Sequence, residues 1–306
     1  WSTMGAIAAS WVISPVVGGI IAAAALAFVK WRLIYVPDKI AAARVWVPVL
    51  IAVMAWAFAT YIALKGLSHI ADISLGHALL IGLVAGALSW IGAVPLIRHQ
   101  ARGLENRTRS LKVLFRVPLV ISAALLSFAH GANDVANAVG PLAAIVHAQS
   151  GDALGASVTI PVWVMLIGAL GISCGLMMFG PKLIRMVGNQ ITKLNPMRAY
   201  CVALSAAVTV IAASWLGLPV SSTHIAVGGV FGVGFFREWY MARRARKLSP
   251  AQGPLRRMPR EERKRRKLVR RSHFMTIVAA WVITVPAAAL LSALSFALLS
   301  HLARTF

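Results

Sequence analysis

Seven stretches of the chain, roughly residues 5–29, 46–66, 77–97, 113–129, 160–179, 199–217 and 274–302, are almost wholly apolar. A helix of about 20 apolar residues crosses the hydrocarbon core of a bilayer. Lipid offers no hydrogen bonds, so the backbone polar groups of each run must be satisfied within the helix itself. The pattern therefore predicts an all-α polytopic membrane protein. Composition agrees, since 59% of the 306 residues are hydrophobic and 13% are charged, against about a quarter charged in a soluble domain.

The net charge of +23 is not read as a nucleic-acid site. The Lys and Arg residues sit between the apolar runs, in linkers 30–45, 98–112, 180–198 and 237–273, whereas 67–76 and 148–159 contain none. Basic linkers belong on the cytoplasmic side. That path closes if 131–147 re-enters without crossing and 218–236 crosses. The linker 237–273 is expected to be a mobile loop able to touch anionic lipid. Cys174 and Cys201 lie in apolar runs without metal-ligand spacing and read as packing residues. Gly82-x-x-x-Gly86, Gly171-x-x-x-Gly175 and Gly228-x-x-x-Gly232 fit close helix contacts.

Segments 7–29 and 276–298 are similar, with Trp11-Val12-Ile13-Ser14 matching Trp281-Val282-Ile283-Thr284. The first leads into a basic linker and the second leaves one, so they run in opposite directions. Opposed copies mark the inverted-topology repeat of secondary transporters.

The chemistry concentrates in two stretches. In "HGANDVANAVGP", 130–141, Asp134 is the one acid of eight inside a membrane-type apolar run. Such a carboxylate costs at least ~2.5–3.5 kcal/mol to insert and is by default functional. Gly131 permits an abrupt turn, and Pro141 should bend or end the short helix that follows. Asp134, Asn133 and Asn137 supply oxygen ligands suited to a small cation. In "LGLPVSSTHIAVGGV", 216–230, Pro219, Ser221, Ser222 and Thr223 read as a helix start. Unpaired N–H groups and hydroxyls there can hold an oxyanion. His130 and His224 are candidate proton carriers, and packing histidines on the other reading. P-loop, HExxH and GxSxG patterns are missing, which argues against an ATPase, zinc protease or hydrolase. A hydrolytic use of Ser222, His224 and Asp134 is the remaining enzyme reading, with poor nucleophile geometry.

"HGANDVANAVGP" at 130–141 resembles the signature of the inorganic phosphate transporter (Pit) family, and "PVSSTH" at 219–224 is similar to its second hallmark. "SWVISP" at 10–15 extends the likeness along the chain. The resemblance implies an inverted-repeat transporter with broken or re-entrant helices, and phosphate held between two halves by cation symport. By position, Asn133, Asn137, Ser221, Ser222 and Thr223 would hold phosphate. Asp134, Asn133 and Asn137 would hold the coupling cation, H⁺ or Na⁺, with no cofactor. On this plan residues 1–112 hold the rest of the first half and connecting helices. Residues 113–236 form the second-half core, 237–273 the cytoplasmic loop and 274–306 the last span. The family carries each motif twice and this sequence once. The repeat places the first GAND on the order of a hundred residues before Trp1, so a segment lacking it, unable to transport alone, is the alternative expectation. Expected partners are inorganic phosphate, free or metal-complexed, the lipid bilayer and a second copy in a homodimer. The Ala- and Arg-rich composition suggests a GC-rich bacterium and its inner membrane.

Overall fold

The computed structural model describes residues 2–66, 73–149, 160–186, 194–248 and 271–305, and everything below concerns these. They form nine α-helices: α1 (Ser2–Val29), α2 (Lys39–Tyr61), α3 (Leu75–Gln100), α4 (Thr108–Leu114), α5 (Arg116–Gln149), α6 (Val162–Met186), α7 (Pro196–Trp215), α8 (Ser222–Leu248) and α9 (Arg271–Thr305). Short π-helical turns, Lys30–Ile34 and Ile62–Gly66, extend α1 and α2. Seven helices are long and apolar enough to cross a membrane, so the chain is the multi-pass α-helical protein its apolar runs demand.

Caps set where several helices begin. Asp38 accepts from the Ala41 N–H at 2.9 Å, Ser74 from His77 at 3.4 Å and Asn195 from Arg198 at 3.0 Å. Each satisfies a backbone donor that the first helical turn leaves open. At the other end of α7, Gly217 takes φ +68°. A Cβ is disfavoured there, and the chain turns sharply toward α8.

Helix α7 is the centre of the bundle. It buries 67% of its apolar window, against 6% for α6 and 0% for α9, so those two present their side chains outward. Tyr200 on α7 is fully enclosed, packs edge-on against Phe115 and donates to the Leu50 carbonyl at 3.3 Å. Leu26, Val29, Leu33, Val47, Met54, Cys201 and Val233 complete the same core.

Helices α1 and α8 lie side by side and parallel: Pro15 abuts Gly228, Gly19 abuts Gly232, and Lys30 reaches Phe236 and Tyr240. Their basic ends therefore share one side. Asn106, in the linker before α4, accepts from Lys39 N–H at 2.9 Å and donates to the Pro37 carbonyl at 2.9 Å. Arg198 feels the charge of Arg237. Linkers distant in sequence thus meet at one end of the bundle, as a common cytoplasmic side requires.

Of the three glycine pairs, Gly82/Gly86 and Gly228/Gly232 sit against neighbouring helices. Gly171 and Gly175 face open space, because α6 turns that face outward. Cys201 is buried as expected, but Cys174, also on α6, is exposed.

Two local expectations are corrected. Gly131 makes no turn: α5 is one helix through Gly131 and Pro141, so 131–147 is not a separate re-entrant piece. Gly131 has no positive φ. Asn133 and Asn137 direct their amides to another segment rather than to their own backbone, leaving the helical ladder uncontested. Proline is also no terminator in this chain, since Pro15, Pro48, Pro95, Pro141, Pro181 and Pro286 all lie inside helices. At ~1.5 Å per residue α5 is about 50 Å long and overshoots the hydrocarbon core. Further, the basic stretch after 236 begins as a continuation of α8 to Leu248; the rest of the expected loop, 249–270, lies outside the described residues.

Candidate functional site

The break between α7 and α8 leaves the Val220 carbonyl outside any helix. Asn133 donates its amide to that oxygen at 2.8 Å, and Asn137, one turn on along α5, donates at 3.4 Å. Two side chains at i and i+4 share a helix face, so α5 grips the turn at two levels. Ser214 on α7 donates to Asn133 Oδ1 at 3.5 Å. Asn133 is buried and engaged at both ends of its amide, which makes it the clamp that joins α5, α7 and the turn.

Asp134 faces the start of α8. It accepts from Ser222 Oγ at 3.2 and 3.3 Å and from the Asn133 amide at 3.0 Å. His130, one turn earlier, places Nδ1 at 3.3 Å from the same carboxylate and in contact with Ser222 Oγ. Ser221 is the N-cap of α8, its hydroxyl accepting from the His224 N–H at 3.4 Å. The carboxylate thus lies at the positive end of a helix dipole, held by one hydroxyl and one amide.

A cavity of about 1470 Å³ opens beside this cluster. Asp134, Asn137, Ser221 and His224 are its polar residues at one end; Trp11, Pro15, Gly19, Phe231 and Trp239 line the apolar remainder. The structure therefore gathers the two motifs, 87 residues apart in sequence at the Asn133–Val220 bond, into one pocket. Thr223 is the exception: it is exposed and does not line the cavity, because the N2 position of α8 points it away from α5. Sequence reasoning missed Ser214, and it missed that α1 forms the cavity's wall. Small residues at Gly18 and Gly19 were the available signal for that contact.

The hydrolytic reading fails on geometry. A Ser-His-Asp triad uses opposite nitrogens of the imidazole for the nucleophile and the acid. Here the same Nδ1 faces both Ser222 and Asp134, so His130 cannot pass a proton between them. Among the described residues there is also no cluster of three His, Cys, Asp or Glu able to hold a metal ion.

Comparison with known proteins gives a consistent picture. The family model described as "Phosphate transporter family" matches residues 1–292. A Helicobacter pylori (strain J99) protein named "Putative phosphate permease" is 39% identical over 358 aligned positions, covering 100% of this chain and 67% of that protein. "Inorganic phosphate transporter 2-1, chloroplastic" of Arabidopsis thaliana is 34% identical, over 95% of this chain and 49% of its own length. Among solved structures, "The sodium-dependent phosphate transporter" superposes with TM-score 0.71 at 32% identity, covering 80% of this chain and 60% of that one. The chain spans about two thirds of the length of the Helicobacter relative.

Proposed function

The chain belongs to the phosphate transporter family, and from that premise we propose that it carries inorganic phosphate across a membrane together with a cation bound at Asp134. It is a transporter-family member and not an enzyme. The observation that carries the reading is the contact between Asp134 and Ser222 at the N-terminus of α8.

That contact couples two charges of opposite need. The Ser221 and Ser222 hydroxyls and the first N–H groups of α8 offer a phosphate its hydrogen bonds. The Asp134 carboxylate beside them repels a polyanion. A cation on Asp134 removes the repulsion and adds attraction, so phosphate and cation favour each other's binding. Na⁺ suits the oxygen ligands available, namely the Asp134 carboxylate, the Ser222 hydroxyl and the Asn137 amide. The sodium dependence in the name of the similar solved structure supports that choice.

H⁺ is the second reading, favoured by the 3.3 Å approach of His130 to Asp134. A proton shared by that pair neutralises the carboxylate as a metal ion would. His224, in the cavity wall, is the further candidate carrier. The composition supports a bacterial inner membrane as the location, and a homodimer is the proposed way for a chain with one motif set to complete a substrate cage.

Uptake of radiolabelled phosphate into proteoliposomes tests this reading. An imposed Na⁺ gradient drives uptake, a pH gradient does so on the second reading, and Asp134→Asn removes either dependence. A divalent-metal chelator separates free phosphate from a metal complex. Uptake indifferent to both gradients contradicts cation coupling.

A further inference from the structure

Cations gather at the basic end of the α1–α7–α8 bundle, where the site described above does not reach. Arg237 follows Ser222 by four turns of α8, about 22 Å along the helix. Lys30, at the end of α1, is 8% exposed. Its ammonium lies 4.0 Å from the centre of the Tyr240 ring and 5.1 Å from that of Phe236. Tyr35 stacks on Tyr240 at 5.5 Å and thickens this aromatic wall. Arg237, between those two rings in sequence, keeps Nη1 buried with no hydrogen-bond partner. Arg198, at the start of α7, is near enough for the two guanidinium charges to repel. One core holds all three in place: Val29 and Leu33 flank Lys30, Tyr200 follows Arg198, and Val233 precedes Arg237 by a turn.

Three cations drawn from water into one end of a bundle need anionic charge. Glu238 supplies one carboxylate next to Arg237. The other acids on this side are engaged elsewhere: Asp38 caps α2, and Glu105 pairs with Arg107 at 3.0 Å. A guanidinium with an open, buried nitrogen, beside a second guanidinium and an ammonium, matches the oxygens of a phosphate group better than any carboxylate. We propose that Lys30, Arg198 and Arg237 form a second, cytoplasmic-side anion site that binds a phosphate group, presented by a phospholipid headgroup or as free inorganic phosphate. Burial pushes the Arg237 guanidinium below its usual pKa, with Glu238 partly offsetting it, and a bound phosphate would restore the balance. The two motif-bearing helices would then be fastened at both ends, by the Val220 clamp at one and by this anion at the other.

The test uses the full chain in lipid nanodiscs with two arms. In the first, phosphatidylglycerol is mixed into phosphatidylcholine, and native mass spectrometry counts the anionic lipid retained. In the second, pure phosphatidylcholine nanodiscs are titrated with inorganic phosphate against chloride at matched ionic strength, and the thermal midpoint is followed. Retention in the first arm identifies the lipid, and a midpoint rise in the second identifies the free ion. Either response should weaken about tenfold or more in Arg237→Gln, survive in part in Arg237→Lys and persist in Asp134→Asn. Lys30→Gln provides an independent variant should Arg237→Gln fold poorly. The proposal is overturned if the wild type responds in neither arm, if both glutamine variants respond like wild type, or if Asp134→Asn abolishes the response.

Discussion

Ser222 Oγ donates to the Asp134 carboxylate at 3.2 Å across the junction of α5 and α8. An apolar membrane chain thereby keeps its acid at a helix N-terminus, and keeps a hydroxyl fit for phosphate within its reach. The cation that Asp134 attracts and the anion that α8 attracts are neighbours, which is the physical basis for moving them together.

The three residues of the Ser221-Ser222-Thr223 run should behave differently. Ser222 is buried against Asp134 and Thr223 is exposed outside the cavity. Ser222→Ala should raise the phosphate KM by about tenfold, the cost of one lost charged-group hydrogen bond. Thr223→Ala should leave it unchanged. Uptake kinetics of the two variants side by side check this.

Asn133 acts as a clamp through its hydrogen bond to Val220. Asn133→Ala strands a buried carbonyl and should cost ~1–3 kcal/mol of stability. The weaker 3.4 Å bond from Asn137 compensates in part, so Asn133→Ala with Asn137→Ala should cost more than the sum of the singles. Thermal unfolding in detergent, run as a double-mutant cycle, measures the coupling.

The α1–α8 contact depends on missing side chains. A Cβ at Gly228 would lie 2.1 Å from the Pro15 carbonyl oxygen, and one at Gly232 would lie 2.1 Å from that of Gly19. Gly228→Ala and Gly232→Ala should each destabilise by ~1–3 kcal/mol as the helices are forced apart. Gly171→Ala and Gly175→Ala meet nothing within 4 Å and should be neutral or slightly stabilising. The same unfolding assay ranks all four.

The two thiols report the bundle's inside and outside. Cys201 is buried against α7's neighbours and Cys174 faces outward from α6. A small lipid-soluble alkylating reagent should modify Cys174 alone in the folded protein, and a charged, membrane-impermeant one should modify neither. Mass spectrometry before and after denaturation reads both sites.

Much of this was legible in the sequence, for reasons particular to lipid. A run such as 199–217 can only be helix, and Asp134 stands out because its surroundings are so uniformly apolar. The pairing of the GAND and PVSST stretches was readable as two motifs of one resemblance, though not as the bond from Asn133 to Val220. The failures share a cause. Gly131 and Pro141 are breakers by local chemistry, yet α5 runs through both because its polar side chains bond elsewhere. Thr223 looked equivalent to Ser222, and a step of one residue around a helix turned it outward. The outward face of Gly171 and Cys174 depends on which side α6 shows to its neighbours, and an all-apolar helix carries no stripe to reveal that.

The central claim is that a cation at Asp134 and phosphate at the start of α8 bind as a pair. Phosphate affinity measured by calorimetry at low and high Na⁺, in wild type and in Asp134→Asn, tests it most directly. Linkage requires that Na⁺ tighten phosphate by the same factor as phosphate tightens Na⁺. The account predicts that rising Na⁺, at constant ionic strength and pH, strengthens phosphate binding about tenfold or more in the wild type and has no effect in Asp134→Asn. Phosphate affinity independent of Na⁺ and of pH in the wild type, or an undiminished cation effect in Asp134→Asn, would contradict it.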